Sequence, residues 1–452
     1  MSTSPTTPVP TASVSDTISA VSQVLLPVFG KGVIVRRPPM VRMAQKLELD
    51  RRAVRRMQQL AHTYGPGPLL LRVPLRKVGL VLEPEDVKRV LSGSPEPFAP
   101  ATREKRAALS HFQPHGVLAS RGAERADRRR FNEQVLGSDL AVHPRAGALL
   151  DKVVAEAEVL IDRVRETGEL VWDDYAAAWM RAVRRVVLGD AARDDHAVTD
   201  LLGELRASAN WAFLKPKSRQ TRERFLRQLR GHLDRAEPDC LAGVTASTPT
   251  TEVTEPEQQV PQWLFAYDAA AWAGYRALAL IAAHREHADR CLDELASVDL
   301  HEPHQSTGLR ASVLESLRLY PTTPHILRET TIETTWATGT LPAGTTLSIF
   351  APYFHRDDRH LPYADRFAPD VWEGRTGGRE LGDLTDGWPL LPFSGGPAVC
   401  PGRNLVLLTT SAFLGVLLSR LDPRLAPEHP LHAGPPLPGT LDMFTLRFRP
   451  RR

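Results

Sequence analysis

Cysteine is scarce, with three among 452 residues, at positions 240, 291 and 400. An odd number excludes a fully paired disulfide framework, and the separations match no common zinc-ligand spacing, so a reducing, cytoplasmic setting is predicted. Long apolar runs are also missing. No uninterrupted stretch reaches eighteen residues, and even the run from Val21 to Val35 is broken by Gln23, Pro27, Gly30, Lys31 and Gly32, so no membrane span is expected. Neither sign of charge dominates: the net charge of +4 gives no basis for nucleic-acid binding. The first twenty residues lack the basic start and apolar core of a secretory signal, and their Ser, Thr, Val and Pro content reads as a flexible tail. His301-Glu-Pro-His304 has the wrong spacing for a zinc-binding H-E-x-x-H and contains proline, and Gly30-Lys-Gly32 lacks the third glycine of a dinucleotide fingerprint.

What is present is enough apolar material for a large core, 42% of residues, and residues 21–452 read as one domain. The pattern is helical from Met40 to Tyr64 and stops at Gly65-Pro-Gly-Pro. Leu69 to Leu75 and Val78 to Leu82 read as strands of a small sheet, and Pro97 to Ser120, without periodicity, as a long loop of the kind that covers ligand sites. A basic helix follows at Glu124 to Glu133, then long helical stretches from Leu149 to Gly189 and Thr199 to Arg235. Pro238 to Pro261 reads as a surface linker. The apolar helix Trp263 to Ala283 and a helix at Leu309 to Leu319 come next, then short strands and turns. The chain is mainly α with a minor β component.

The most informative stretch is Phe393-Ser-Gly-Gly-Pro-Ala-Val-Cys400-Pro-Gly402-Arg, set just before an apolar run from Asn404 to Leu418. It places one cysteine in a glycine-rich turn at the start of a buried helix, where backbone N–H groups and the helix dipole favour a thiolate able to ligate iron. Gly396 and Gly402 leave room for a flat macrocycle to approach the backbone. A small buried cysteine in a tight turn is the plain alternative. Upstream, Glu315-Ser-Leu-Arg318 sets opposite charges three apart on one helix face, and Tyr363-Ala-Asp-Arg366-Phe supplies an arginine between that helix and the cysteine.

Together these features resemble the cytochrome P-450 superfamily, in order and at family-like spacing, from about Leu69 to Leu417. The resemblance implies a triangular, helix-rich domain with small sheets that holds haem b (iron protoporphyrin IX), with Cys400 as the metal ligand and Phe393 and Gly402 in the cofactor loop. It assigns Glu315, Arg318 and Arg366 to a structural triad and Arg125, Arg129 and Arg328 to the haem propionates; Ala398 stands where the family usually has a further cation. On the apolar helix, Asp268 matches the acid of the family's oxygen-activating pair and Ala269 replaces its threonine, so Asp268 and Ala269 are the catalytic positions. Tyr267 and Trp272 either line the pocket or belong to the core. Arg103, His111, Phe112 and the segment from Trp211 to Lys217 are expected to shape the pocket.

The implied activity is a monooxygenase oxidising a small organic molecule in bacterial specialised metabolism. The expected protein is a cytoplasmic monomer fed by a ferredoxin and ferredoxin reductase docking on a basic face that includes Arg128, Arg130 and Arg403. Ala269 keeps a second reading open: peroxide-driven oxidation, oxidative coupling, or a dehydration, isomerisation or group transfer. A haem-binding sensor or carrier is a third.

Overall fold

The computed structural model describes residues 7–372 and 387–451. Its architecture follows from two helices that are apolar on every side and therefore have to be enclosed. The central helix, Pro256–Ala283, and the proximal helix, Arg403–Leu421, pack against each other and against the helices Ala146–Thr167, Trp172–Leu188 and Thr307–Leu319. The proximal helix is long and apolar enough to cross a membrane, yet 83% of its apolar window is buried inside the protein. It is a core helix.

A second apolar cluster surrounds a five-stranded sheet ordered Leu69–Leu71, Val78–Val81, Thr346–Phe350, His325–Thr330, Phe98–Ala99. Only the pairing of Val78–Val81 with Thr346–Phe350 is parallel. Two-stranded ribbons join Leu170–Val171 to Arg447–Phe448 and Thr334–Trp336 to Gly339–Leu341.

Four sequence expectations need correction. Residues 7–20 are not a free tail. Val9 and Ala12 are buried, Pro8 bridges to Thr340 and Thr11 to Leu70, and Ser13 caps a helix at Val14–Ala20. Asp16 in that helix accepts from Tyr64 Oη at 2.6 Å and pairs with Arg56 at 2.5 Å; the Tyr64 hydrogen bond, then those of Ser13 and Arg56, lower its carboxyl to about 2. Two small apolar anchors and one acid hold this segment, too few to register as average hydropathy. The helix read from Met40 to Tyr64 is two, Pro38–Lys46 and Leu49–Tyr64, broken where Glu48 takes a positive φ of 49°. The supposed linker carries a helix at Leu241–Ser247 and the first turns of the central helix, with Pro256 at its start and Pro261 tolerated inside. Finally, the loop from Pro97 contains a strand and the helix Arg103–Leu109, whose first turn is capped by Thr102 Oγ1 accepting from the Lys105 N–H.

Candidate functional site

The cysteine loop is fastened from several sides. The Cys400 N–H donates to the Phe393 carbonyl at 3.0 Å and the Val399 N–H to that of Gly396 at 2.9 Å. Arg129, from the helix Gly122–Leu136, donates to the Val399 carbonyl at 2.7 Å, and Ser138 Oγ to the Pro401 carbonyl at 2.6 Å. Burial pushes the half-buried Cys400 thiol up; the Gly402 N–H and the Arg129 and Arg403 charges pull against it. Gly402 is the N-cap of the proximal helix, so the sulfur sits at that helix's positive end. The two glycines differ in role. Gly396 has φ +63°, and a Cβ there would come 2.3 Å from the Leu91 carbonyl oxygen, so it serves close approach to the helix Pro84–Ser92 rather than clearance for a ring. A Cβ on Gly402 would meet nothing nearer than 3.7 Å. Phe393 is partly buried against the helical core.

Behind the loop, Glu315 and Arg318 are wholly buried and doubly bonded, Nε to Oε2 at 2.7 Å and Nη2 to Oε1 at 2.6 Å. Arg318 also donates to the carbonyls of His355, Ala364, Tyr363 and Arg366. Glu315 accepts from the Ala368 N–H and Trp372 Nε1. Satisfying so many donors and acceptors is what makes this buried pair tenable. The expected triad is therefore corrected: Arg366 enters by its backbone carbonyl, and its side chain is exposed. His355, which sequence reading did not single out, completes the brace. Its Nε2 accepts from the Leu391 N–H at 2.8 Å, two residues before Phe393, and its Nδ1 then donates to the Arg318 carbonyl at 3.1 Å. Burial lowers this imidazole to about 3, so it is neutral.

Next to the loop lies a group of cations, Arg125 and Arg328 buried and Lys105 partly buried. Arg328 Nε donates to Ser94 Oγ at 2.8 Å and its Nη2 to Ser394 Oγ, on the cysteine loop, at 3.1 Å. Lys105 Nζ donates to the Leu327 carbonyl at 3.3 Å, and Arg125 Nε has no partner among the described residues. Burial, then the Arg328 and Arg125 charges, lower Lys105 to about 7; burial, then Arg125, lower Arg328 to about 10. None of the three pairs with a carboxylate among the described residues. Buried cations in this state call for anionic partners, and two carboxylate arms of a porphyrin beside a thiolate loop fit this donor set. Arg129 is not in the group: it is committed to Glu133 and Val399. Ala398 lies in a short 3-10 turn and offers no side-chain donor. Lys105 is the cation that sequence reading missed; the Thr102 cap that orients its helix was the available signal.

On the central helix, Asp268 Oδ2 lies 2.5 Å from Arg206 Nη1 of the helix His196–Ala209. Ala269 is partly buried. Tyr267 packs against Trp179 and so belongs to the core, while Trp272 lies under the Arg36 guanidinium. From the covering loop, Phe112 meets Phe265 edge-on at 6.0 Å and Gln113 Nε2 donates to Gln262 Oε1 at 2.5 Å. His111 is fully buried beside them in sequence. Arg103 bonds Glu329 through its backbone N–H. Trp211, Phe213 and Leu214 are exposed, and Arg37 covers the Trp211 ring. The expected basic docking face is corrected: Arg128 and Arg403 are buried, Arg128 bonding Ser120, Glu124 and Glu255, and Arg130 pairs with Asp127.

Comparison with known proteins agrees with this geometry. A family profile described as Cytochrome P450 matches residues 253–440. A cytochrome P450 monooxygenase g430 of Fusarium is 36% identical over 118 residues, 24% of this chain and 19% of its own length. The cyclooctat-9-en-7-ol 5-monooxygenase of Streptomyces melanosporofaciens is 35% identical over 111 residues, 25% of this chain and 23% of its own. These matches thus span about a fifth of each relative. The retinoic acid-bound cyanobacterial CYP120A1 structure superposes with a TM-score of 0.68 at 17% identity, covering 87% of this chain and 93% of that one, and shares the fold.

Proposed function

This chain belongs to the cytochrome P450 superfamily, and from that premise we propose that it is a haem-thiolate monooxygenase acting on a small organic molecule. The observation that carries the reading is the Cys400 loop set beside three cations, the buried Arg125 and Arg328 and the partly buried Lys105, that lack acid partners among the described residues. Haem b, when bound, supplies iron-centred activation of dioxygen. The protein's own residues do the rest. Cys400 Sγ holds the metal, supported by the Gly402 N–H and by the Arg129 and Arg403 charges. Glu315, Arg318 and His355 fix the loop in place. Lys105, Arg125 and Arg328 bind the carboxylate arms. Asp268 holds a proton-exchanging carboxylate at the distal helix, with Arg206 setting its orientation, and Phe112 against Phe265 keeps water from that side.

In this reading electrons come from separate proteins, a ferredoxin and its reductase, in a cytoplasmic, bacterial specialised pathway; the Streptomyces relative, a cyclooctat-9-en-7-ol 5-monooxygenase, supports the small-molecule monooxygenase part of it. The test is the reduced protein under carbon monoxide. A thiolate-type Soret difference band that Cys400→His abolishes is the expected result, and bound haem without such a band overturns the ligand assignment.

Ala269, followed by Ala270, supports one alternative. With no hydroxyl at the position where the family carries one, a peroxide-driven or redox-neutral reaction is the second reading. Product formed without reductant favours it; strict dependence on reduced nicotinamide and ferredoxin excludes it.

A further inference from the structure

A separate cavity of about 80 Å³ shares no lining residue with the cysteine loop or its cations. That volume is several times what one water needs, on the order of 10 Å³ by the same measure. It is walled by the helix Leu49–Tyr64, by Arg276 of the central helix, by Leu319 and Tyr320 at the end of the brace helix, and by Gly439 to Leu441. Its charges do not balance. Lys31, Arg36, Arg51, Arg55, Arg276 and Arg356 line it, against Asp50, Asp358 and Asp365.

Each acid is already engaged. Asp50 is held by Lys31 at 2.5 Å and by Thr440 Oγ1 at 2.5 Å, Asp365 by Arg356, and Asp358 by Gln58 at 2.8 Å. Arg51 pairs with Glu48 at 3.2 Å. Arg36 and Arg276 are left with neutral acceptors only: Arg36 reaches the carbonyls of Gly32 and Thr322, both at 2.6 Å, and Arg276 the Leu441 carbonyl at 3.0 Å, the Tyr320 carbonyl at 3.5 Å and Met443 Sδ at 3.3 Å. Burial, then the Arg276 charge, lower Arg36 to about 10, and burial does the same to Arg276. Tyr320 is 4% exposed, lines the same space, and its hydroxyl has no partner among the described residues.

The buried Arg276 and the partly buried Arg36 have no acid within hydrogen-bond distance among the described residues, Asp50 acting on both and Asp442 on Arg276 only through space, and with the unpartnered Tyr320 hydroxyl they form a donor set short of a directly bonded anion. We propose that this cavity binds a small oxyanion, a phosphate or carboxylate group, held by Arg36, Arg276 and the Tyr320 O–H, with the exposed Arg55 at its mouth. The bound anion would tie together the N-terminal segment, the central helix and the end of the brace helix, each of which contributes one of these side chains.

The experiment titrates inorganic phosphate into the haem-loaded full chain at constant ionic strength, by calorimetry and by thermal midpoint. Saturable binding is expected, weakened about tenfold or more by Arg36→Gln and by Tyr320→Phe, with the Soret spectrum unchanged. Tyr320→Phe retains the ring and keeps the test open should the arginine variant fail to fold. Absence of saturation, or equal binding by wild type and Tyr320→Phe, overturns the proposal. Phenyl phosphate separates the two sources of the group. Competition with phosphate identifies the head of a larger molecule entering past Arg55, and binding of phosphate alone identifies a free anion.

Discussion

Arg206 Nη1 stands 2.5 Å from Asp268 Oδ2, joining the helix His196–Ala209 to the central helix at the residue just before Ala269. Arg206 also lies over the Phe265 ring at 4.7 Å, so one side chain orients both the carboxylate and an aromatic one turn away. If Asp268 manages protons, Asp268→Asn lowers kcat about tenfold or more with little change in KM. Arg206→Met leaves the acid in place but unoriented, and is expected to divert reducing equivalents from product. Product formed per nicotinamide consumed is the measurement; equal coupling in wild type and Arg206→Met would remove Arg206 from the mechanism.

The brace gives a sharp contrast between two arginines. Arg318 and Glu315 are both 0% exposed, so Arg318→Ala strands a buried carboxylate and is expected to cost about 3–5 kcal/mol. Arg366 contributes only its carbonyl, so Arg366→Ala stays within about 0.5 kcal/mol. Urea unfolding of the two variants checks this. A large loss on Arg366→Ala would restore the side-chain triad.

The contrast also marks what could be read from the chain. Glu315 and Arg318 were legible because helical spacing dictates that they meet. The cysteine turn and the apolar central helix were legible for the same reason: local chemistry specifies them. Arg366 and His355 were not, because whether a backbone carbonyl or a side chain meets Arg318 depends on where the segment 355–368 is threaded in space. Lys105 was hidden likewise; a helix of seven residues does not announce that its lysine bonds the Leu327 carbonyl and lies within reach of the Arg328 charge. The N-terminal segment failed through averaging, since Val9, Ala12 and Asp16 do their work as single contacts.

Lys105 titrates in a window that haem binding should shift. Its ammonium ionises near 10.5 in the unfolded chain and near 7 in the folded one, with burial the main cause and Arg328 and Arg125 adding to it. Between those values the unfolded chain binds more protons, so the stability of the haem-free protein rises with pH from about 7 to about 10.5 and is flat below. Carboxylate arms beside Lys105 would restore its proton. Haem binding at about pH 8.5 is therefore expected to take up close to one proton, and Lys105→Met to abolish that uptake. Calorimetry in two buffers of different ionisation enthalpy reads it directly; identical uptake by the variant would take Lys105 out of the cofactor site.

Gly396 and Gly402 offer the most direct test of what the cysteine loop encloses. Gly396→Ala places a Cβ 2.3 Å from the Leu91 carbonyl at φ +63°, and neither the carbonyl nor the loop can yield without loosening the loop from the helix Pro84–Ser92. It is expected to lose at least about 1–3 kcal/mol whether or not haem is bound. Gly402→Ala has no such obstacle, since its φ is −93° and its nearest neighbour, Leu136 Cδ1, is 3.7 Å away. The haem-free variant should thus fold with wild-type stability. If the added methyl group meets only protein, haem affinity is also unchanged. If it projects toward the macrocycle, affinity falls while haem-free stability does not. Comparing unfolding midpoints with and without haem for both variants distinguishes a glycine required by the chain from one required by the cofactor.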